Sequence, residues 1–238
     1  MMDNRFEIFL KVIGKSLQLT VSVGELLAIT IRQLNAYWPM SEREKAVIET
    51  LLSVVLERLG KCLFARRKKD PSQNGSAVYS PFHSDQHCLF LYWLSRCAFE
   101  AGEIRLAEKS YYLNKVMHSV DLFYEIEMPD HFSLEHPLGS VIGRGIIGDY
   151  FCCLQGCTIG NNKGMYPTLE NHVMMLQRSS VIGDSRIGHH SIISAGTYVK
   201  DTDIPSYSLV FGGSPNLTIK KITVDYYTRI SLFVNDII

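Results

Sequence analysis

The sequence predicts an α+β protein in two parts, a helical first half followed by a parallel β-helix of short strands. Three observations carry this reading. A capping signature and a helical apolar rhythm open at Ser41, a strict six-residue rhythm governs the second half, and a turn-rich stretch interrupts the helical half. The expected division is an α-helical domain over 1–119, a β-helix over 120–216 and a C-terminal tail over 217–238.

The helical half comes first. Ser41 followed by Glu44 has the form of a capping box. Ala46, Val47, Ile48, Leu51, Leu52, Val54, Val55, Leu56 and Leu59 then recur at three- and four-residue spacings, and Gly60 is placed to end or interrupt the helix. The stretch Asp70-Pro-Ser-Gln-Asn-Gly-Ser76 reads as a loop. Helical character resumes from His83 to His118, with Leu89, Trp93, Leu94 and Cys97 on one face.

The second half obeys another period. Every sixth residue from Leu169 is apolar: Leu169, Met175, Val181, Ile187, Ile193 and Val199. Four positions after the first five comes a smaller residue, Val173, Ser179, Ser185, Ser191 and Thr197, and an earlier block gives Val141, Ile147, Cys153 and Ile159. Six is not a multiple of 3.6, so no helix produces this series. It is the mark of a coil with three short sides, the apolar residue stacked inward and the small one at the corner. Stacked coils bury one apolar column and pair their backbones. These hexads make a little over three coils. The rhythm breaks between Ile159 and Leu169, so Gly160-Asn-Asn-Lys-Gly-Met-Tyr-Pro-Thr168 is expected to protrude as a loop.

Composition excludes several classes. Lysine plus arginine and aspartate plus glutamate both number 24, so no net field attracts nucleic acid or an anionic membrane. The run Arg66-Arg67-Lys68-Lys69 reads as a solvated helix end. No uncharged apolar run approaches the roughly 20 residues of a membrane span, since Glu25 interrupts the stretch from Leu17 to Ile31. The N-terminus has no signal-peptide pattern. The six cysteines, Cys62, Cys88, Cys97, Cys152, Cys153 and Cys157, show no CxxC pairing with nearby histidines. Reduced, buried thiols, no metal and a cytoplasmic setting are expected.

From Val120 to Asn216 the chain resembles the catalytic domain of serine acetyltransferases. The resemblance rests on VDLFYEIEMPDHFSLEHPLG, on CCLQGCTIG with the loop and hexads after it, and on the exit DTDIPSYSLVFGGSPN. In that family an aspartate opens the first coil and a catalytic histidine follows 15 residues later in an Asp-His-x-x-Gly motif. Asp121 and His136 stand at that separation, and Glu135-His136-Pro137-Leu138-Gly139 carries the motif with one acidic exchange. The resemblance implies a left-handed hand for the β-helix and an O-acetyltransferase using acetyl-CoA in a ternary complex. His136 is then the general base and Asp121 its orienting partner.

The chemistry suits those residue types. A hydroxyl is a weak nucleophile at neutral pH, and an imidazole with an ordinary pKa near 6.5 removes its proton as it attacks. A carboxylate on the other ring nitrogen fixes the tautomer. Backbone N–H groups near Gly160 and Asn161 are candidate oxyanion donors, although family members often have a second glycine where Asn161 stands. His83, His87, His118, His131, His172, His189 and His190 read as surface or satisfied core residues. Cys153 and Cys157 fall at inward positions.

The loop departs from the family pattern. An Arg-His-Pro segment that helps hold the serine carboxylate is here Met165-Tyr166-Pro167, with Lys163 the nearby cation. Charge-assisted hydrogen bonds are therefore missing from it. Tyr166 is a candidate to present its hydroxyl to a neutral substrate or to partner the base, Glu135 to hold a substrate ammonium, and Asp70, in Asp70-Pro71, to make a substrate contact. The acceptor expected from the resemblance is L-serine, with another amino acid or a sugar or polysaccharide hydroxyl as the alternative. For acetyl-CoA the family uses a groove between subunits; Ala195, Gly196, Gly212 and Gly213 occupy the matching stretches, where small residues admit an extended ligand. The family's solenoids trimerise, so a homotrimer or dimer of trimers is implied. A non-catalytic trimeric scaffold is the competing class, in which His136 would be dispensable.

Overall fold

The computed structural model of the chain describes residues 10–12, 15–66 and 76–233. Asp70, Arg67 to Lys69, the turn-rich stretch after them and Val234 lie outside the described residues. Two compact units result. One runs to Phe64 and resumes to His118; the other takes Ala65 and Arg66 together with the chain from Ser119.

In the first unit, strands β1 (Leu10–Val12), β2 (Lys15–Leu19) and β3 (Ser76–Tyr79) form a small sheet in that order, which the helical reading did not contain. Helix α1 (Val23–Asn35) starts at Ser22, whose hydroxyl accepts the Glu25 N–H at 3.1 Å. The capping box before α2 (Glu42–Ala65) is complete. Glu44 Oε2 accepts the Ser41 N–H at 2.8 Å, and Ser41 Oγ accepts the Glu44 N–H at 3.2 Å. Its buried face is Ile48, Leu52, Val55, Leu56 and Leu59, and Gly60 is buried within the helix rather than ending it.

The helical run 83–118 divides into α3 (Ser84–Glu100) and α4 (Ile104–His118). Gly102 takes φ 77°. Its N–H reaches the Phe99 carbonyl at 3.0 Å and the Glu103 N–H reaches Ala98 at 2.9 Å. That pair of bonds is a Schellman cap, and only glycine meets its left-handed residue without strain. Helix α3 is buried on nearly all sides from His87 to Ser95, so its apolar run reflects a central position rather than one face.

The second unit is a parallel β-solenoid of about 5 turns. One face stacks β4 (Asp121–Leu122), β6 (Val141–Ile142), β9 (Thr158–Gly160), β12 (Ser180–Ile182) and β15 (Tyr198–Lys200). A second stacks β5 (Phe132–Leu134), β8 (Phe151–Cys153), β11 (Met174–Met175), β14 (Ile192–Ile193) and β16 (Ser208–Gly213). A third stacks β7 (Ile146–Ile147), β10 (Thr168–Leu169) and β13 (Arg186–Ile187). The hexad residues from Ile147 to Val199 all point inward and are buried, together with Leu122, Leu134, Ile204 and Val210.

One position of the rhythm is corrected. The register sets Ile142, not Val141, against Ile159. Ile142 is 1% exposed and Val141 43%. The corner Gly143-Arg144-Gly145 is one residue short, so counting back six from Ile147 lands early. The small positions are explained by polar satisfaction as well as size. Ser185 Oγ donates to the Ile182 carbonyl at 2.9 Å, Ser191 Oγ to Pro205 at 3.1 Å and Thr197 Oγ1 to Val210 at 3.2 Å.

After the last coil β17 (Asn216–Lys221) returns antiparallel along β16, and α5 (Val224–Ile230) follows. Tyr227 and Phe233, each 2% exposed, close over Cys152, Met174 and Ile192 on the outside of the second face. The apolar tail residues thus cover the solenoid, although Tyr226 faces solvent. All six cysteines are buried and reduced.

Candidate active site

Residues 136–140 carry the chain from the second face to the first. Proline at 137 disfavours the right-handed helical region for the residue before it, and His136 takes the left-handed region at φ 50°. Its carbonyl accepts the Leu138 N–H at 2.7 Å, and that of Pro137 accepts Ser140 at 3.0 Å. Neighbouring coils clamp this turn. The Gly139 N–H donates to Ser119 at 2.8 Å, the Asp121 N–H to Ser140 at 2.9 Å, and the Gly156 N–H to Leu138 at 2.9 Å. Asp121 therefore opens its strand beside the end of the turn that carries His136. His136 is exposed and Asp121 half-buried.

Glu135 enters the site already engaged. Its Oε1 lies 2.6 Å from Arg66 Nη2 and accepts Ser133 Oγ at 2.6 Å. The two side chains keep 24% and 17% of their exposure. Arg66 is thus a fixed partner one residue from the candidate base, not part of a solvated helix end. Its backbone bridges antiparallel to Phe233. No local sequence signal marks it, because positions 66 and 135 lie far apart in the chain.

The other candidates fall in three places. Ala195 and Gly196 are exposed at the same corner as His136, further along the stack, with Gly156 and Arg178 between. A side chain at Gly196 would meet nothing within 4 Å, though its φ of 69° favours glycine. Gly160, Asn161 and Tyr166 lie at the opposite end of the first face, about 16 Å away at five residues of strand rise. Within one chain these residues do not converge on His136. Gly212 and Gly213 form the end of the β16–β17 hairpin, where the Gly212 φ of 86° accounts for glycine by itself.

The loop after β9 is ordered by its own turn. Asn162 and Met165 exchange N–H···O bonds of 3.1 and 3.0 Å around Lys163 and Gly164, both at positive φ, the pattern of a two-residue type I′ turn. Asn161 Oδ1 accepts the Gly164 N–H at 3.2 Å and Asn162 Nδ2 donates to Asp201 at 2.6 Å. Arg144 pairs with Glu125 at 2.7 Å, and Tyr166 lies near enough to add to the effect of Glu125 in raising the guanidinium's pKa. Arg144 is a second cation the sequence reading missed, since only the loop's fold brings it beside Tyr166.

The corner between the third and second faces holds a ring column. His131, Tyr150, His172, His190 and Tyr207 stack in order with centroids 4.9, 4.5, 4.3 and 5.0 Å apart. Tyr227 meets His172 and His190 edge-on. His131 Nδ1 lies 2.9 Å from Asp149 Oδ2. Burial opposes the charge on Asp149, yet the His131 hydrogen bond holds its carboxyl below the usual range. Burial, with His172 and His189 alongside, lowers His190 to about 4. These histidines are satisfied by stacking and pairing, as are His87 and His118 in the helical unit.

The corner at His136 thus offers an exposed imidazole, a carboxylate strand beside it, and an edge with small residues. That set can deprotonate a hydroxyl next to an extended ligand. No protein-family model matches the chain. A curated relative, the serine acetyltransferase of Bacillus subtilis, is 31% identical over 149 residues, covering 60% of this chain and 68% of its own length. The crystal structure of Neisseria gonorrhoeae serine acetyltransferase superposes with a TM-score of 0.68 at 21% identity, over 88% of this chain and 84% of that one. A serine acetyltransferase in complex with CoA gives a TM-score of 0.64 at 18% identity, over 83% and 84%. At such identities the structural likeness establishes the fold, and the Bacillus relative carries the family.

Proposed function

The chain belongs to the serine acetyltransferase family, and we propose on that premise that it moves the acetyl group of acetyl-CoA to the hydroxyl of L-serine. His136 takes the hydroxyl proton, with Asp121 holding the ring from its other nitrogen. The freed oxygen attacks the thioester carbonyl directly, the C–S bond breaks, and the imidazolium returns its proton to the departing thiolate. No acyl-enzyme forms. General-base help of this kind contributes about 100- to 10,000-fold.

The observation that carries the reading is the clamped turn, in which Gly139 bonds Ser119 and Asp121 bonds Ser140, so that the strand of Asp121 abuts the turn of His136. Ala195 and Gly196, exposed on the same edge, suit the pantetheine arm, where a backbone without bulk permits close approach. Gly160, Asn161 and Tyr166 reach this edge only from a second copy of the chain, which is the reason to propose a trimer with the site between copies. Gly212 and Gly213 continue that groove. Asp70 is kept as an acceptor contact by resemblance alone.

Release of thiol from acetyl-CoA across an acceptor panel tests the proposal. L-serine at millimolar concentration should support turnover, and His136→Ala should lower it by about 100- to 10,000-fold while acetyl-CoA still binds. Turnover with a hexose and none with L-serine would reject serine as acceptor. Undiminished turnover in His136→Ala would take the general-base role from His136, and no turnover with any acceptor in the unaltered chain would leave only the scaffold reading.

A further inference from the structure

We propose that Arg66 reads the acceptor carboxylate, and that Arg66 with Glu135 forms a charge pair matched to a zwitterionic amino acid beside His136. This rests on the acyl-transfer reading above and deepens it.

Glu135 keeps one carboxylate oxygen to offer. Arg66 Nη2 at 2.6 Å and Ser133 Oγ at 2.6 Å both fall on its Oε1. A carboxylate has about four acceptor sites, so Oε2 retains capacity for a substrate ammonium. The guanidinium carries five N–H donors in a rigid fork, and one carboxylate oxygen occupies one of them. The remaining donors are the charge-assisted kind that planar carboxylates prefer.

Arg66 is also held where such a group must be. Its backbone bridges Phe233, itself 2% exposed, and its side chain is three-quarters buried against a residue adjoining the base. Little rotamer freedom remains to be lost on binding. Other cations serve less well. Lys163 sits at the loop tip, and Arg144, 61% exposed, is on Glu125 near Tyr166 at the far end of the face. An α-amino acid separates its opposite charges by one carbon. A preformed Arg–Glu pair presents the complementary charges side by side, so neither pole of the acceptor is desolvated without a partner.

The experiment compares L-serine with L-serinamide, which keeps the amino group and hydroxyl but lacks the carboxylate, at a pH low enough to keep both amines protonated. The wild-type chain should favour L-serine in kcat/KM by about 10- to 100-fold, the worth of one or two charge-assisted hydrogen bonds. Arg66→Ala should lose that factor with L-serine chiefly through KM, bring the two acceptors level and leave the KM for acetyl-CoA within twofold. Arg66→Gln, which keeps the stem to Cδ and a polar end without the charge, is read the same way should the alanine variant fold poorly. Equal losses with both acceptors, or a serine preference that survives removal of Arg66, overturns the proposal while leaving serine acetylation intact. A wild-type chain that acetylates no amino acid overturns the acceptor reading itself.

Discussion

Acidification should destabilise the helical unit well before ordinary carboxylates titrate. His87 is held at both nitrogens, by the Tyr79 hydroxyl at 3.0 Å and Gln33 Oε1 at 3.0 Å, and His118 Nδ1 lies 2.7 Å from Asn114 Oδ1. Burial, and then His118, lowers His87 to about 3, while burial lowers His118 to about 4 against the opposing pull of Asp85. An unfolded chain protonates both near 6.5. Above that pH both states keep the rings neutral and nothing is lost. Below it the unfolded chain binds protons that the folded chain refuses, so stability falls by up to about 1.4 kcal/mol per pH unit for each ring. At pH 5 the two together cost about 4 kcal/mol, a large share of the roughly 5–15 kcal/mol that holds a domain. Lys109 holds Glu44 down to about 2 despite its burial. That carboxylate loses its contribution only below about 4.5, outside the window. Trp38 and Trp93 both belong to this unit, so fluorescence-monitored urea titrations between pH 7.5 and 5 read it directly. His87→Gln should halve the pH slope. A midpoint that does not move with pH, or an unchanged slope in that variant, refutes the argument.

Three other outcomes are expected. Ile142→Ala should cost about 2–5 kcal/mol and Val141→Ala no more than about 0.5, followed by circular dichroism; equal costs would reverse the register. His172→Ala removes three ring contacts, to Tyr150, His190 and, edge-on, Tyr227 of α5. It should lose about 1–3 kcal/mol and speed amide exchange in α5, and unchanged exchange would mean the column does not support that helix. His136→Gly should keep or slightly raise the melting temperature while abolishing thiol release, whereas a joint loss of stability would assign the residue to the fold.

The fold was legible where one residue type answered one demand. The inward series from Ile147 to Val199 shows in the sequence because a closed coil tolerates nothing but an apolar residue there. The first coil, Asp121 to Ser140, and the last, after Ile204, escaped the count because their corners depart from six residues and Val141 mimics its neighbour. The capping box at Ser41 was legible since its bonds are local. The break at Gly102 was not, because an apolar run like that of α3 continues on all sides of a central helix. At the site, Asp121 and His136 could be found by spacing. Arg66 could not, since nothing between positions 66 and 135 encodes that meeting, and Arg144 meets Tyr166 only through a turn at Lys163-Gly164.

The corners of the solenoid also distinguish structure from chemistry. Tyr150, His172, His190 and Tyr207 all take positive φ, at about 1–2 kcal/mol each. Four stacked pairs, His131 included, return about 0.5–1.5 kcal/mol apiece, and the α5 and tail rings cover them. That corner is self-consistent as packing. The corner at His136 is different. The turn there is two residues longer than its counterpart in the next coil, since Leu134 pairs with Cys153 and Ile142 with Ile159, and it is Gly139, at φ 73°, that stacks in the column of Gly156, Arg178 and Gly196. A histidine held at φ 50° in that added stretch, exposed and outside the ring column, gives up conformational energy that stacking does not return. Strain of this kind persists where the side chain itself is needed, and what an exposed imidazole beside a carboxylate strand supplies is a proton acceptor.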